Sequence, residues 1–288
     1  MVDGPGRYVS SLASTSARLY HQVVVLAESA TDKGPAVDVE RRGTLVPPDE
    51  LHVWSASLER GPVLVAQLRV LLSGDERERA IRFRFERDRS RYIVGRGLLR
   101  ILLGRYLGVA PADVRFEYGA SEKPRLAGGE LWFNLSHSGT IALFAFSARG
   151  EVGIDVELDD ADFAGERIAE RFFSPAEVRA LRSLPEPQQA RAFLHCWTRK
   201  EAFIKARGDG LSLALDSFDV TLEPGSPAVL LRTAWSDDEP GHWRLLDLSD
   251  PGSGYVAAVA IRSERWRVIT RRVPDNFNDD TLTRQEER

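Results

Sequence analysis

Cysteine is almost absent from this chain: Cys196 is the single one in 288 residues. That excludes an intramolecular disulfide and a cysteine-built zinc site, and it fits a reducing, cytoplasmic setting. Histidine is sparse too, with five in all, so chemistry that needs a histidine cluster has little to draw on. No apolar run approaches the ~20 residues of a membrane-spanning helix. The run Val23–Ala27 is shorter than the ~7 residues of a secretory hydrophobic region. An excess of positive charge is also missing. Lys and Arg number 39 against 43 Asp and Glu, a net charge of −4, which argues against a general nucleic-acid or membrane binder. The length suffices for one large domain or two small ones.

Residues 1–48 read as a weakly ordered extension, and Pro47-Pro48 punctuates the chain before the ordered part. Val53–Leu58 has the pattern of a strand. Ser73-Gly74-Asp75-Glu76 opens a helical pattern that continues to Arg105. Val114–Tyr118, Leu131–Leu135, Ile141–Ser147 and Glu151–Glu157 read as strands, with Ser136-His137-Ser138-Gly139 as a tight turn between the second and third. Ser174-Pro175-Ala176-Glu177 combines a serine cap, Pro at the first helical position and Glu at the third. Ala190–Arg207 is a second long helix, stopped by Gly208 and Gly210. Phe218–Leu222, Trp243–Leu248, Tyr255–Ile261 and Arg265–Thr270 are further strands, and the segment from Pro274 is polar. A long helix followed by short strands occurs twice, about 100 residues apart, too far for a solenoid repeat. The expected fold is therefore α/β (α+β), with similar halves at 49–155 and 156–273 and a tail at 274–288.

Two segments carry chemistry. In Val152-Gly153-Ile154-Asp155-Val156-Glu157, strand alternation puts Asp155 and Glu157 on one face. Two adjacent carboxylates repel, which a solvated strand end or a bound cation would relieve. In Cys196–Lys205, helical spacing puts Trp197, Glu201 and Lys205 on one face. The ordinary reading of that face is an exposed Glu–Lys pair. Taken together, Asp155, Glu157 and Glu201 form an all-oxygen set that suits Mg²⁺, with Mn²⁺ as a substitute, better than zinc. Lys205 adds a point charge for a phosphate. A cluster of arginines between Arg77 and Arg105, only partly balanced by Glu78, Glu86 and Asp88, would suit an anionic ligand. Ser136, His137 and Ser138 offer hydroxyl, imidazole and backbone donors for a phosphate, and Lys123-Pro124 adds a cation beside a rigid residue.

In this order, Lys123-Pro124, Phe133–Ser138, Gly153–Glu157, Arg171–Ser174, Phe193–Lys205 and Gly210-Leu211-Ser212 resemble the 4′-phosphopantetheinyl transferase superfamily of the surfactin-synthetase-activator (Sfp) type. The resemblance covers roughly residues 53–261. It implies two α/β halves related by a pseudo-twofold axis, with coenzyme A in the cleft between them. It implies Asp155, Glu157 and Glu201 as metal ligands and Lys205, Ser136 and Lys200 near the pyrophosphate. His137, Arg91 and Arg79 would lie around the 3′-phosphate, and Lys123 and Pro124 beside the adenine. The implied reaction attaches the phosphopantetheine arm to a serine of an apo acyl or peptidyl carrier protein and releases 3′,5′-ADP, with Asp155, Glu201 and Lys205 as the catalytic group. Carrier helices are commonly acidic, so a basic or apolar rim near the cleft is expected. A cytoplasmic monomer without nucleic-acid or membrane partners completes the expectation. Three carboxylates beside arginines would also serve a Mg²⁺-dependent phosphohydrolase or nuclease, and a duplicated α/β chain could bind coenzyme A or a carrier protein without catalysis.

Overall fold

Two serine capping boxes set out the architecture. Ser73 and Glu76 start one helix and Ser174 and Glu177 another, each side chain satisfying the other residue's backbone N–H. In the computed structural model, residues 46–275 are described except 120–122, 130, 160–165, 209, 211–212, 251 and 263–265. The expected extension and tail therefore lie almost wholly outside the described residues. The chain runs β1 (Glu50–Ser57), α1 (Pro62–Leu71), α2 (Gly74–Ile81), α3 (Glu86–Leu107), β2 (Phe116–Tyr118), β3 (Pro124–Leu126), β4 (Trp132–Ser138) and β5 (Ile141–Ser147). It continues through β6 (Val152–Leu158), α4 (Glu166–Phe172), α5 (Pro175–Ser183), α6 (Glu186–Arg207), β7 (Phe218–Val220), β8 (Leu230–Thr233), β9 (Trp243–Asp247), β10 (Tyr255–Arg262) and β11 (Arg267–Arg272).

The second run repeats the first. The sheet order β1-β5-β4 recurs as β6-β10-β9, antiparallel at every step. The pair β2-β3 recurs as β7-β8. The long helices α3 and α6 each have 22 residues and end on a left-handed glycine, Gly108 and Gly208. The last strand, β11, breaks the repetition by returning to pair in parallel with β1. The expected division at 155/156 falls inside β6, which pairs with β10 along its whole length.

Strand alternation explains how the sheets stack. On β5, Ala142, Phe144 and Phe146 pack under α3, while Ile141, Leu143 and Ala145 face a second core. On β10, Val256, Ala258 and Ala260 pack under α6, while Ala257, Val259 and Ile261 join that same second core. Each sheet thus covers a helix on one face and the other sheet on the other. This is why β5 and β10 are almost wholly apolar.

Three local expectations need correction. The helical pattern from Glu76 to Arg105 is two helices, separated by an extended Phe85. Glu76 pairs with both Arg96 and Arg100. A single straight helix would hold Glu76 and Arg96 about 30 Å apart, so α2 folds back beside α3. The helix α1, started by Pro62 at its first turn, was not anticipated. Finally, Ser136, His137 and Ser138 belong to strand β4, and the turn is the pair Gly139-Thr140, with Gly139 at φ +55. Among the described residues, no helix is long and apolar enough to cross a membrane.

Candidate active site at the seam between the halves

The sheets meet where edge strand β4 runs beside edge strand β6, and side chains take the place of ladder hydrogen bonds. Asn134 Oδ1 accepts from Ile154 N at 2.8 Å. Two residues on, Ser136 Oγ donates to Asp155 Oδ1 at 2.9 Å. After two more, Ser138 Oγ donates to Glu157 Oε2 at 3.2 Å and accepts from Leu158 N at 3.1 Å. The period of two along β4 puts all three residues on the side facing β6. Tyr255 of the second half steadies the turn after β4, its hydroxyl lying 3.2 Å from Thr140 Oγ1.

Helix α6 lies directly on β6 because Gly153 has no side chain. A Cβ there would collide with the backbone of Ala202, Lys205 and Ala206. The close approach brings Lys205 Nζ to 2.5 Å from Asp155 Oδ1 and 3.2 Å from Ser136 Oγ. Asp155 is 3% exposed, and its Oδ2 is buried without a hydrogen-bond partner. Burial and the charge of Asp155 raise the Glu157 carboxyl well above the usual range. Burial also raises Glu201; Asp155 adds to this and Lys205 opposes it. Burial would lower the Lys205 ammonium, but Asp155 and Glu201 outweigh it and hold Lys205 above its ordinary value.

These features fit a hard divalent cation in donor type. The donors are carboxylates, one buried oxygen has no partner, and burial with the charge of Asp155 holds two further carboxyls toward their neutral forms. The geometry is not that of a ready-made ligand set. Among the described residues, no three His, Cys, Asp or Glu side chains are gathered closely enough to hold a metal, and the Lys205 ammonium sits against Asp155.

The other expected site residues divide into two groups. His137, the penultimate residue of β4, is exposed. Desolvation by the surrounding protein, then the charges of Lys205 and Arg91, hold its imidazole below the ordinary value against the pull of Asp155. Arg91 therefore lies within electrostatic reach of His137, although its Nη2 is paired with Glu59 Oε1 at 2.5 Å. Arg79 lies over the Tyr92 ring, 5.9 Å from its centroid, and Pro124 opens β3 opposite Tyr118.

Lys123 and Lys200 both spend their ammonium groups on partners within the protein. The Lys123 ammonium donates to the carbonyls of Val152 at 3.2 Å, Ala206 at 3.3 Å and Lys205, closing the C-terminal end of α6. Burial, followed by the charges of Arg125 and Lys205, outweighs Glu151 and brings that ammonium down to about 8. Lys200 is 0% exposed and sits on the far side of α6, bonded to Glu177 at 2.8 Å and to the carbonyls of Leu215 and Phe218 at 2.7 and 2.6 Å. An ammonium enclosed by three such partners has no donor left for a pyrophosphate, so the placement of Lys200 at the substrate is corrected. The sequence reading missed the seam role of Asn134 and Ser138. The signal is present in the polar alternation Asn134, Ser136, Ser138, although the two serines have the composition of a turn.

Residues 151–260 match the 4′-phosphopantetheinyl transferase superfamily, and residues 54–149 match the family described as 4′-phosphopantetheinyl transferase, N-terminal. The 4′-phosphopantetheinyl transferase HetI of Nostoc sp. is 42% identical over 223 residues, 76% of this chain and 90% of that protein. A putative 4′-phosphopantetheinyl transferase of Synechocystis sp., slr0495, is 34% identical over 217 residues, 73% of this chain and 86% of that protein. The 4′-phosphopantetheinyl transferase Sfp of Bacillus subtilis is 38% identical over 154 residues, 52% of this chain and 66% of that protein. Among solved structures, holo-[acyl-carrier-protein] synthase (AcpS) of Thermotoga maritima is 24% identical and covers 40% of this chain and 64% of that chain. Its TM-score is 0.32, too low for the likeness to carry an argument.

Proposed function

The chain belongs to the 4′-phosphopantetheinyl transferase superfamily, and we infer that it moves the phosphopantetheine arm of coenzyme A onto a serine of a carrier protein at the seam between its halves. The observation that carries this reading is the meeting of Ser136, Asp155 and Lys205, supplied by β4, β6 and α6. Both halves must be in place to build it, as a substrate lying between them requires.

In the reaction, the carrier serine oxygen forms a bond to the phosphorus of the arm. The bond from that phosphorus to the bridging oxygen breaks, and 3′,5′-ADP leaves. Asp155, Glu157 and Glu201 would hold a Mg²⁺ ion, which when bound neutralises charge on the pyrophosphate oxygens. Lys205 moves its ammonium from Asp155 to a phosphate oxygen, where a charge-assisted hydrogen bond strengthens as negative charge develops. Ser136 donates beside it. Glu201 takes the serine proton, directly or through a water. His137 and Arg91 are proposed to meet the 3′-phosphate. Arg79 would add positive charge to that side, and Pro124 with the stem of Lys123 would border the adenine. We further propose a cytoplasmic monomer, since one chain supplies every group named.

The test is intact mass spectrometry of an apo carrier protein incubated with the protein, coenzyme A and Mg²⁺, with an EDTA control. A mass gain equal to the phosphopantetheine arm, lost with EDTA, is expected. No gain across acyl and peptidyl carriers would overturn the reading. Phosphate released from coenzyme A alone would then favour a phosphohydrolase, and coenzyme A binding without turnover a binding module.

A further inference from the structure

The side-chain ladder between β4 and β6 holds two carboxylates, one on each of two successive serines. At the first, Ser136 Oγ accepts from Lys205 Nζ at 3.2 Å and gives its own hydrogen to Asp155 Oδ1 at 2.9 Å. At the second, Ser138 Oγ accepts from Leu158 N at 3.1 Å and gives its hydrogen to Glu157 Oε2 at 3.2 Å. A hydroxyl rotates freely until an incoming donor fixes it. The Leu158 amide is part of the backbone of β6, so it fixes Ser138 in the frame of the same strand that carries Glu157. The Ser138 hydrogen bond limits rotation of the Glu157 carboxyl about its side-chain torsions. Glu157 is the penultimate residue of β6 and only partly buried.

We propose that Ser138 is a positioning residue that fixes the Glu157 carboxylate for cation binding and transfer, so that the seam between the halves sets the geometry of the site. The proposal rests on the reading of Glu157 as a ligand.

Removing a group that orients a metal ligand typically costs about 10–100-fold in metal affinity or activity. The experiment compares wild type, Ser138→Ala and Ser138→Thr. It measures Mn²⁺ binding to the coenzyme-free protein by electron paramagnetic resonance, kcat and the KM for coenzyme A, and the melting temperature. For Ser138→Ala the expected result is Mn²⁺ binding and kcat each about tenfold lower, with the KM for coenzyme A within about twofold of wild type and the melting temperature unchanged. Ser138→Thr, which keeps the hydroxyl, restores both losses. Wild-type Mn²⁺ affinity in Ser138→Ala overturns the proposal, as does a loss that Thr fails to restore. Absence of Mn²⁺ binding by the wild type overturns it too. Weakened Mn²⁺ binding in Ser138→Ala by a protein that transfers nothing would sustain the proposal and sink the transferase reading instead.

Discussion

Glu201 and Lys205 stand one helical turn apart, and their surroundings drive them toward opposite states of charge. Burial and Asp155 push Glu201 toward its neutral acid, whereas Asp155 and Glu201 together keep Lys205 an ammonium despite burial. On the proposed reaction, a carboxyl of raised proton affinity beside a fixed cation suits displacement by an alcohol. Glu201→Gln keeps the shape and removes the proposed base, so kcat for transfer should fall about 10²–10⁴-fold with no loss of melting temperature. Asp155→Asn, which retains an oxygen for Ser136, should be impaired to a similar degree. A kcat near the wild-type value in either variant, measured by carrier-protein loading, would remove that residue from the mechanism.

Placement of these side chains is a matter of elements, and one glycine governs it. Gly153 lets the backbone of α6 rest on β6. Gly153→Ala forces a methyl group against backbone atoms that cannot rotate away. Overpacking a core typically costs about 1–3 kcal/mol and sometimes more, and this site belongs at the upper end. Urea unfolding should show a loss of at least about 3 kcal/mol, with transfer reduced in the fraction that remains folded. A loss below about 1 kcal/mol would mean that the helix can lift without disturbing the site.

Much at this scale was legible beforehand. The capping residues Ser73 and Ser174 and the terminal Gly208 mark helix ends through local hydrogen bonding and backbone conformation, which sequence reports directly. The break between α2 and α3 was not legible, because its cause is the pairing of Glu76 with arginines 20 and 24 residues away. The end of β4 was misread for a related reason. Ser136 and Ser138 look like turn residues by composition, and what holds them in a strand is the facing β6.

For the molecule as a whole, the repeated halves share an internal device as well as a strand order. In the first half, buried Arg100 pairs with Glu76 and donates to the carbonyls of Pro111 and Val114 at 3.1 and 3.0 Å. In the second, buried Lys200 pairs with Glu177 and donates to the carbonyls of Leu215 and Phe218. Each glutamate belongs to a capping box, and each pair of carbonyls comes from the first residue of a short 3-10 turn after the long helix and the residue that follows the turn. Lys200 is thus the second-half counterpart of Arg100. Its position beside Glu201 in sequence suggested a substrate contact because adjacent helical residues share a motif while facing different ways. Lys200→Ala should cost about 3–5 kcal/mol in urea unfolding, since it leaves buried Glu177 without a cation; Arg100→Ala should cost less, because Arg96 still pairs with Glu76. Full stability in Lys200→Ala with lost transfer would return Lys200 to the substrate. The duplication itself was legible from element order. The sheet that β11 would join was not, because a strand's own residues do not name its neighbour.

That last strand orders events in time. Glu50 lies beside Arg267, 217 residues along the chain, so β1 has no neighbour on that side until nearly all the chain has left the ribosome. The first half must wait with one flank of its sheet open while the second is made. A pause or early stop in translation before β11 would release a chain with a ready template for joining another like it.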